Sequence, residues 1–540
     1  MNDPQPSAGA ALDLDVLVIG AGIAGIYQLH KLRIEHPDLR VEVVDAAGGV
    51  GGTWYWNRYP GARFDSESYS YAYFFSKELR DDWRWKERFS GQPEIEEYLN
   101  HVVDRFELRP YITLGFRVQS ATWDETSRSW SVRTADGQER RTRFLVTAVG
   151  LLSAPQFPIA PGREEFRGIA HHTALWPAGG VDFTGKRVAV IGTGSSGVQI
   201  TGAIADEVAS LTVFQRTPNW CTPLNNTPMG DEEYADISSR LDEIHATLMG
   251  SFAGFVHQFQ PVSAFDVSPE DRHRLYEQLW EQPGFAKLLG NYMEVLFSPE
   301  INAEFSAFLA GKISGLVTDP AKADKLIPKD HGYGVKRPPF EAGYYAAFNK
   351  PNVDVVSLTD SPIERFTPTG LIAGGTEHEF DIIVYATGFD AITGAFDRID
   401  IRAGEGQSLR EYWEYGPHTF LGMQSPGYPN LFFIAGPHST GGNVPRAIEG
   451  QVDFLTGLLT RAVSHGHERV EVTPQAEVAW TEHVLKGVEG TVVAVGKDWA
   501  FGGNTPGKKL AYRHYGGGII TYSTRCAEVV AGDYAEFDFA

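Results

Sequence analysis

An α/β protein of two doubly wound parallel-sheet units, the second interrupted by a helical insertion, is predicted by three observations. Residues 14–30, LDVLVIGAGIAGIYQLH, pass from a short apolar run through glycines into an amphipathic stretch, the pattern of a buried parallel strand turning into a helix. Residues 187–201, RVAVIGTGSSGVQIT, repeat it about 170 residues later, too far away for a stacked solenoid. Residues 225–325 differ in texture: DEEYADISSRLDEIHATL, SPEDRHRLYEQLWEQ and NAEFSAFLAGKISGLV carry helical apolar spacing behind Ser or Asn starts.

After the insertion, VDVVSL and FDIIVYATGF read as strands. NLFFIAG from Asn430 reads as another, followed by a Gly-rich loop at 436–443 and a helix from Ile448. The chain is therefore expected to return to its first unit. Residues 1–150 and 389–540 would form that unit, 151–224 and 331–388 the second, and 225–330 the insertion.

Composition narrows the function classes. The 540 residues leave room for roughly three to four domains of ordinary size. Lys plus Arg number 47 against 69 Asp plus Glu, a formal charge of −22, and such a field repels polyphosphate, so nucleic acid is not expected as a partner. A 42% hydrophobic content is enough to offset chain ordering, which excludes a disordered chain. Two distant cysteines, Cys221 and Cys526, supply neither a disulfide framework nor a redox dithiol, and no His/Cys/Asp cluster marks a metal. Residues 1–15 lack the basic and apolar blocks of a secretory signal, and no apolar run nears the roughly 20 residues that span a bilayer. A cytoplasmic monomer or weak oligomer, with no integral membrane association, is the expectation.

The glycines carry the first chemistry. Gly20, Gly22 and Gly25 fit GxGxxG, which allows a tight turn, close backbone approach to a pyrophosphate, and helix-on-strand packing. Asp45 closes VEVVD about twenty residues on, where a carboxylate accepts from ribose hydroxyls. In the second unit Gly192, Gly194 and Gly197 repeat the motif, and Ser195, Ser196 and Gln199 are assigned to the same site. Its second strand, LTVFQRTP, places Arg216 where an acid would repel a ribose 2′-phosphate and a guanidinium suits it, so this unit is read as taking NADPH. Two dinucleotides in one chain imply hydride passing between them, which makes FAD the first unit's cofactor. The fold expected is thus a pair of Rossmann-like domains, one for FAD and one for NADPH.

Two longer stretches name a family. Phe166, Gly168, His172, Trp176 and Pro177 fit FxGxxxHxxxW[PD], and residues 52–65, GTWYWNRYPGARFD, fit [AG]GxWxxxx[FY]P[GM]xxxD. Both resemble the fingerprints of type I Baeyer–Villiger monooxygenases, of the cyclohexanone and phenylacetone monooxygenase kind. The likeness continues through ATGFD at 386–390, KRPPFEAGYY at 336–345 and WAFGGNTPGKK at 499–509, nearly the whole chain. It implies a flavoprotein that uses NADPH and O2 to convert ketones to esters or lactones through a C4a-peroxyflavin. It implies further that Arg337 is the catalytic cation beside the flavin and Asp65 the carboxylate that positions it. Lys336 joins Arg216 and Thr217 at the 2′-phosphate, Trp499 donates to NADP, and Thr53, Trp54 and Tyr71 line the flavin. His172 and Trp176 have conformational roles. One departure is Phe64, where relatives commonly carry Cys; it removes no group that the chemistry needs.

For the substrate, the loop HSTGGNVPR at 438–446 matches the border of the family's ketone pocket. Gly441 and Gly442 are expected to leave a low, mobile wall there that admits bulky cyclic ketones, with Leu151, Leu152 and Phe501 as apolar lining. Two alternatives stay open: a flavin monooxygenase that oxygenates nitrogen or sulfur, and a nucleotide-binding redox sensor without turnover.

Overall fold

A computed structural model describes residues 12–403, 406–439, 441–496 and 498–540. At the centre of the larger of its two main sheets is the strand Leu14–Ile19, whose Val16, Leu17 and Val18 are fully buried. It pairs in parallel with Val41–Asp45 on one side and Glu139–Thr147 on the other. Ile112–Leu114 extends the sheet beyond Val41–Asp45, and Ser129–Thr134 and Val118–Asp124 continue it antiparallel beyond Glu139–Thr147. Three strands from late in the sequence join it: Leu431–Phe433 beside Glu139–Thr147, Asp400–Ala403 beside Val118–Asp124, and Gln407–Ser408 antiparallel at the edge beyond Asp400–Ala403. Both ends of the chain thus build one nine-stranded sheet. The helix Ile23–Glu35 packs against the long helix Val444–Ser464 over its face.

The smaller main sheet is all parallel, in the order Val353–Ser357, Ser210–Gln215, Arg187–Ile191, Ile382–Tyr385, Ile169–His172. A parallel sheet covered on both faces wants continuous apolar strands, and Val188, Ala189 and Val190 are each fully excluded from solvent. Beside it stands a three-stranded antiparallel sheet, Ile363–Thr367, Gly370–Ala373 and Thr376–Glu379. Its tight turn uses Gly374 and Gly375, both at positive φ (56° and 74°), as a two-residue hairpin requires.

Helices fill the insertion and begin where capping chemistry permits. Ser268 accepts from the Asp271 amide ahead of Pro269–Glu281, Ser298 from Ile301 ahead of Pro299–Leu316, and Asp319 from Ala321 and Lys322 ahead of Pro320–Leu326. Each has proline in its first turn, where no amide partner is lost, and each cap is worth about 1 kcal/mol. The stretch 231–249 forms two helices, Asp231–Ser239 and Leu241–Met249, broken at Arg240 (φ −116°, ψ 14°). The helix expected from Ile448 starts at Val444, because Pro445 is tolerated in a first turn.

The chain crosses between the main sheets twice, and the crossings lie side by side. Pro155 and Phe389 form an antiparallel bridge. The Gln156 amide donates to Gly388 O (2.9 Å), Asp390 to Ala154 O (2.8 Å) and Ile392 to Leu151 O (2.8 Å).

Candidate active site

Both glycine turns are shaped by the same steric demand. A Cβ on Gly20 (φ 113°) would lie 2.3 Å from Ala148 O, and one on Gly192 (φ 115°) would lie 2.3 Å from Ala386 O. Likewise Gly25 and Gly197 face the carbonyls of Gly20 and Gly192 at 1.8 and 2.1 Å, so helix and strand close only over a hydrogen. The helices that follow, Ile23–Glu35 and Ser195–Ile204, have no side-chain cap at Gly22 or Gly194 and no acid in the first turn. Their leading amides therefore point at a space suited to phosphate, and the residues present fit a dinucleotide at each turn.

In the first turn, Asp45 does more than wait for a ribose. Its Oδ2 accepts from the Ala21 amide (2.6 Å) and its Oδ1 from Ala47 (2.7 Å), which fastens the glycine loop to the end of its strand. Gly22 abuts Gly52, whose own Cβ would come within 2.9 Å of Gly22 Cα. Thr53 opens the short helix Thr53–Trp56 with its side chain exposed. The buried Trp54 indole donates to the Tyr71 hydroxyl (2.9 Å), and Phe64 packs against Tyr71 at 4.1 Å, which gives that departure from the family pattern a packing role.

The second turn is more open. A Cβ on Gly194 would meet nothing within 4 Å, and Arg216 is exposed at the end of its strand. Lys336 Nζ donates to Thr217 Oγ1 (3.2 Å), which brings those two residues together, and sits 3.7 Å from Asp330, an acid that the sequence reading passed over.

Arg337 joins the two units. Its guanidinium donates to Asp65 Oδ2 (2.7 Å) and to Ser195 Oγ (2.9 Å), and lies 5.6 Å from the Phe285 ring centroid. Asp65 comes from the GARFD turn and Ser195 from the second glycine turn, so one cation touches both. The Asp65 side chain is only 3% exposed. Burial pushes its carboxyl above the usual range while Arg337 pulls it back, and its Oδ1 is buried without a hydrogen-bond partner. A buried carboxylate in this state needs the cation as much as the cation needs it. Gln199 fastens the same turn, accepting from Tyr59 OH (2.7 Å) and donating to Arg63 O (3.0 Å). Ser196, three positions earlier on that helix, is half-buried.

His172 is buried, and its chemistry is settled by its neighbours. Nδ1 accepts from the Ala174 amide (3.0 Å), so the proton is on Nε2, which donates to Gly388 O (3.1 Å). Burial lowers its pKa to about 4, so the ring stays neutral and ties the end of Ile169–His172, in the smaller main sheet, to the start of the crossing that leaves Ile382–Tyr385. Trp176 is buried, and its amide points to the Trp56 carbonyl (3.4 Å), so the two family fingerprints meet through their backbones.

Trp499 is half-buried in a single 3-10 turn, Trp499–Phe501, capped by Asp498, and meets His514 edge-on at 5.7 Å. Leu151, Trp499 and Phe501 all border the core under the large sheet, and Leu152 is exposed. The paired glycines answer a packing demand. A Cβ on Gly441 would lie 2.3 Å from Tyr515 O, and one on Gly442 (φ 81°) 2.1 Å from Ala253 O. These glycines admit close backbone packing, and the Asn443 amide seals it by donating to Ala253 O (2.8 Å). Thr440 of that loop lies outside the described residues.

No helix among the described residues is long and apolar enough to cross a membrane, and no group of three or more metal-ligating side chains occurs among them. Both cysteines are buried and unpaired, and burial raises both thiols, Cys526 to about 12.

Comparison with known proteins places this arrangement. Residues 17–253, which span both glycine turns, match the family model of pyridine nucleotide-disulphide oxidoreductases. With two buried, separate thiols the match reports the dinucleotide fold and not dithiol chemistry. The chain is 40% identical over 540 residues to 2-oxo-Delta(3)-4,5,5-trimethylcyclopentenylacetyl-CoA monooxygenase of Pseudomonas putida, covering 98% of each. It is 39% identical over 525 residues to phenazine N-monooxygenase PhzNO1 of Lysobacter antibioticus, covering 97% of this chain and 96% of that one. It is 40% identical over 524 residues to a Baeyer–Villiger monooxygenase of Pseudooceanicola batsensis, covering 97% and 95%. Among solved structures, OTEMO in complex with FAD and NADP superposes with a TM-score of 0.94 at 39% identity, over 98% of this chain and all of that one. The chain belongs to the Baeyer–Villiger monooxygenase family of flavoproteins.

Proposed function

We propose that the protein is an NADPH-dependent flavin monooxygenase that inserts one atom of O2 beside a ketone carbonyl. The balance is ketone, NADPH, a proton and O2 to ester or lactone, NADP+ and water. FAD, held at the Gly20 turn by the unit made of 1–150 and 389–540, and NADPH, held at the Gly192 turn by 151–224 and 331–388, would supply hydride transfer and oxygen activation. The chain's own work is positioning and charge. Arg337, which touches the GARFD turn of the first unit and the Gly192 turn of the second, offers a permanent cation to a developing oxyanion. Asp65 neutralises and orients that cation between turnovers, and Ser195 accepts its other arm. Arg216, Lys336 and Thr217 surround the place of a 2′-phosphate. Trp499 closes the nicotinamide side with its indole.

The ring ketone in the name of the Pseudomonas putida relative supports ring ketones as a substrate class. Bulk is no longer supported by Gly441 and Gly442, whose hydrogens are needed for backbone packing. Action in the cytoplasm, as a monomer or weak oligomer, completes the reading. The observation that carries it is the Arg337 guanidinium shared between Asp65 and Ser195. Purified enzyme given NADPH, labelled O2 and a ketone panel should place one labelled atom in an ester or lactone. Arg337→Ala should keep its bound flavin and lose product formation by about 10²–10³-fold or more. An Arg337→Ala enzyme of wild-type activity would overturn the role of the cation. The phenazine N-monooxygenase among the relatives makes N-oxygenation the second reading, so aromatic amines and sulfides belong in the same panel. Nitrogen oxides formed in place of esters would decide for it.

A further inference from the structure

The segment 498–513 is a closed loop whose base and tip are tied to different parts of the molecule. Its two arms pair with each other: Ala511 N–H donates to Phe501 O (3.1 Å) and Arg513 N–H to Ala500 O (2.9 Å). Arg513 is buried inside it and donates to the carbonyls of Phe501, Ala511 (2.7 Å) and Lys509 (2.8 Å). The base bears Trp499 and is held to the substrate-side loop, since His438 N–H donates to Arg513 O (3.0 Å) and His438 Nε2 bonds Tyr512 O (3.0 Å). The tip reaches the paired crossings. Lys508 Nζ lies 2.5 Å from Asp390 Oδ1 and 2.9 Å from Asp397 Oδ2, with side-chain exposures of 14, 17 and 22%. Asn504 donates to Phe389 O (2.7 Å), Thr505 to Asp390 Oδ1 (3.3 Å), and Thr505 also meets Gln156 on the other crossing.

We infer that Lys508 is a positioning residue for the oxygenation reaction, a single ammonium that couples the Trp499 loop to the two crossings between the sheets. Asp390 and Asp397 both face it from one crossing. Without it two largely buried carboxylates confront each other with less counter-charge, and the tip of the loop loses its strongest tie. The crossings and the loop would then move independently, and Trp499 would no longer follow the geometry of the two dinucleotide units. This rests on the reading that Trp499 covers the nicotinamide.

The test uses the FAD-loaded enzyme with and without NADP+. In Lys508→Met, deuterium exchange should rise together in peptides covering 498–513 and 386–397. NADP+ should bind about tenfold more weakly, an ordinary coupling between sites. A larger share of the NADPH consumed should appear as hydrogen peroxide, while flavin reduction at saturating NADPH stays within about twofold of wild type. Lys508→Arg, which keeps the charge and can reach both carboxylates, should restore all of these. Exchange that is unchanged, or that rises in 498–513 while 386–397 stays protected, would overturn the coupling, as would a Lys508→Arg enzyme no better than Lys508→Met. Should Lys508→Met fail to fold, Asp390→Asn leaves the pair with Asp397 and should shift exchange and NADP+ affinity in the same direction by less; no shift in either would equally overturn it. Wild-type enzyme that makes no ester from any ketone would strike at the proposed function and leave the exchange result to stand by itself.

Discussion

The two glycine turns share a sequence pattern and the same 2.3 Å demand at their first glycine, yet they differ in how firmly they are closed. The first is braced from both sides. Asp45 takes two backbone amides of its own loop, and Gly52 presses against Gly22. The second has empty space at Gly194 and an exposed Arg216 at its rim. A braced, buried turn suits a group that stays, and an open turn with a cation at its mouth suits one that enters and leaves. Pattern alone cannot separate these two behaviours; the neighbours of each turn do.

Breaking the brace should have the largest effect. Gly52→Ala would place a Cβ 2.9 Å from Gly22 Cα at a φ of 54°, and the purified protein is expected to lose its flavin absorbance and with it all activity. Gly194→Ala, built into open space, should stay yellow and fold normally, with only the KM for NADPH raised. If both variants keep flavin equally, the distinction between the turns is wrong. Next in size, Arg216→Ala removes a charge-assisted contact, so kcat/KM with NADPH should fall about 10–100-fold with NADH little changed. Steady-state rates with the two nicotinamides measure it, and an equal loss with both would move the 2′-phosphate elsewhere.

The smallest effect at neutral pH concerns three buried histidines spread over the molecule: His30 on the first-turn helix, His172 at the crossing and His438 beside the Trp499 loop. Burial lowers each to about 4. Unfolding frees them to take up protons at their ordinary value near 6.5. Their contribution to stability is therefore whole above about pH 6.5 and lost progressively as the pH falls from there toward 4. The melting temperature should be level above this window and drop within it, and a His172→Gln variant should flatten the drop. A melting temperature that rises on acidification would contradict the neutral rings.

Much of the fold was legible because the parts of parallel strands buried on both faces must be apolar, as in 16–19 and 188–191, and because glycine turns and Ser-Pro helix starts are local events. What was not legible depends on distant partners. Asp65 and Arg337 are 272 residues apart, and only the family likeness links them; Ser195, 142 residues from Arg337, has no such signal, and its sequence context assigns it only to the second dinucleotide site. Gly441 and Gly442 looked like absent side chains, because nothing local reveals the carbonyls of Tyr515 and Ala253 lying against them. The hairpin at Gly374–Gly375 did have a local sign, a two-glycine turn, and was overlooked among stronger strands. Lys508 passed as one basic residue in a glycine-rich run, since Asp390 is 118 residues away.

The state of the two thiols has a bearing on durability. Any flavoprotein that handles oxygen releases some peroxide beside its own polypeptide, and the first casualty is ordinarily an accessible thiolate. Here Cys221 and Cys526 are both enclosed, and their protons are held far more tightly than in water. The folded enzyme thus presents almost no thiolate to its own by-product, and self-inactivation through cysteine should set in only once the structure has opened.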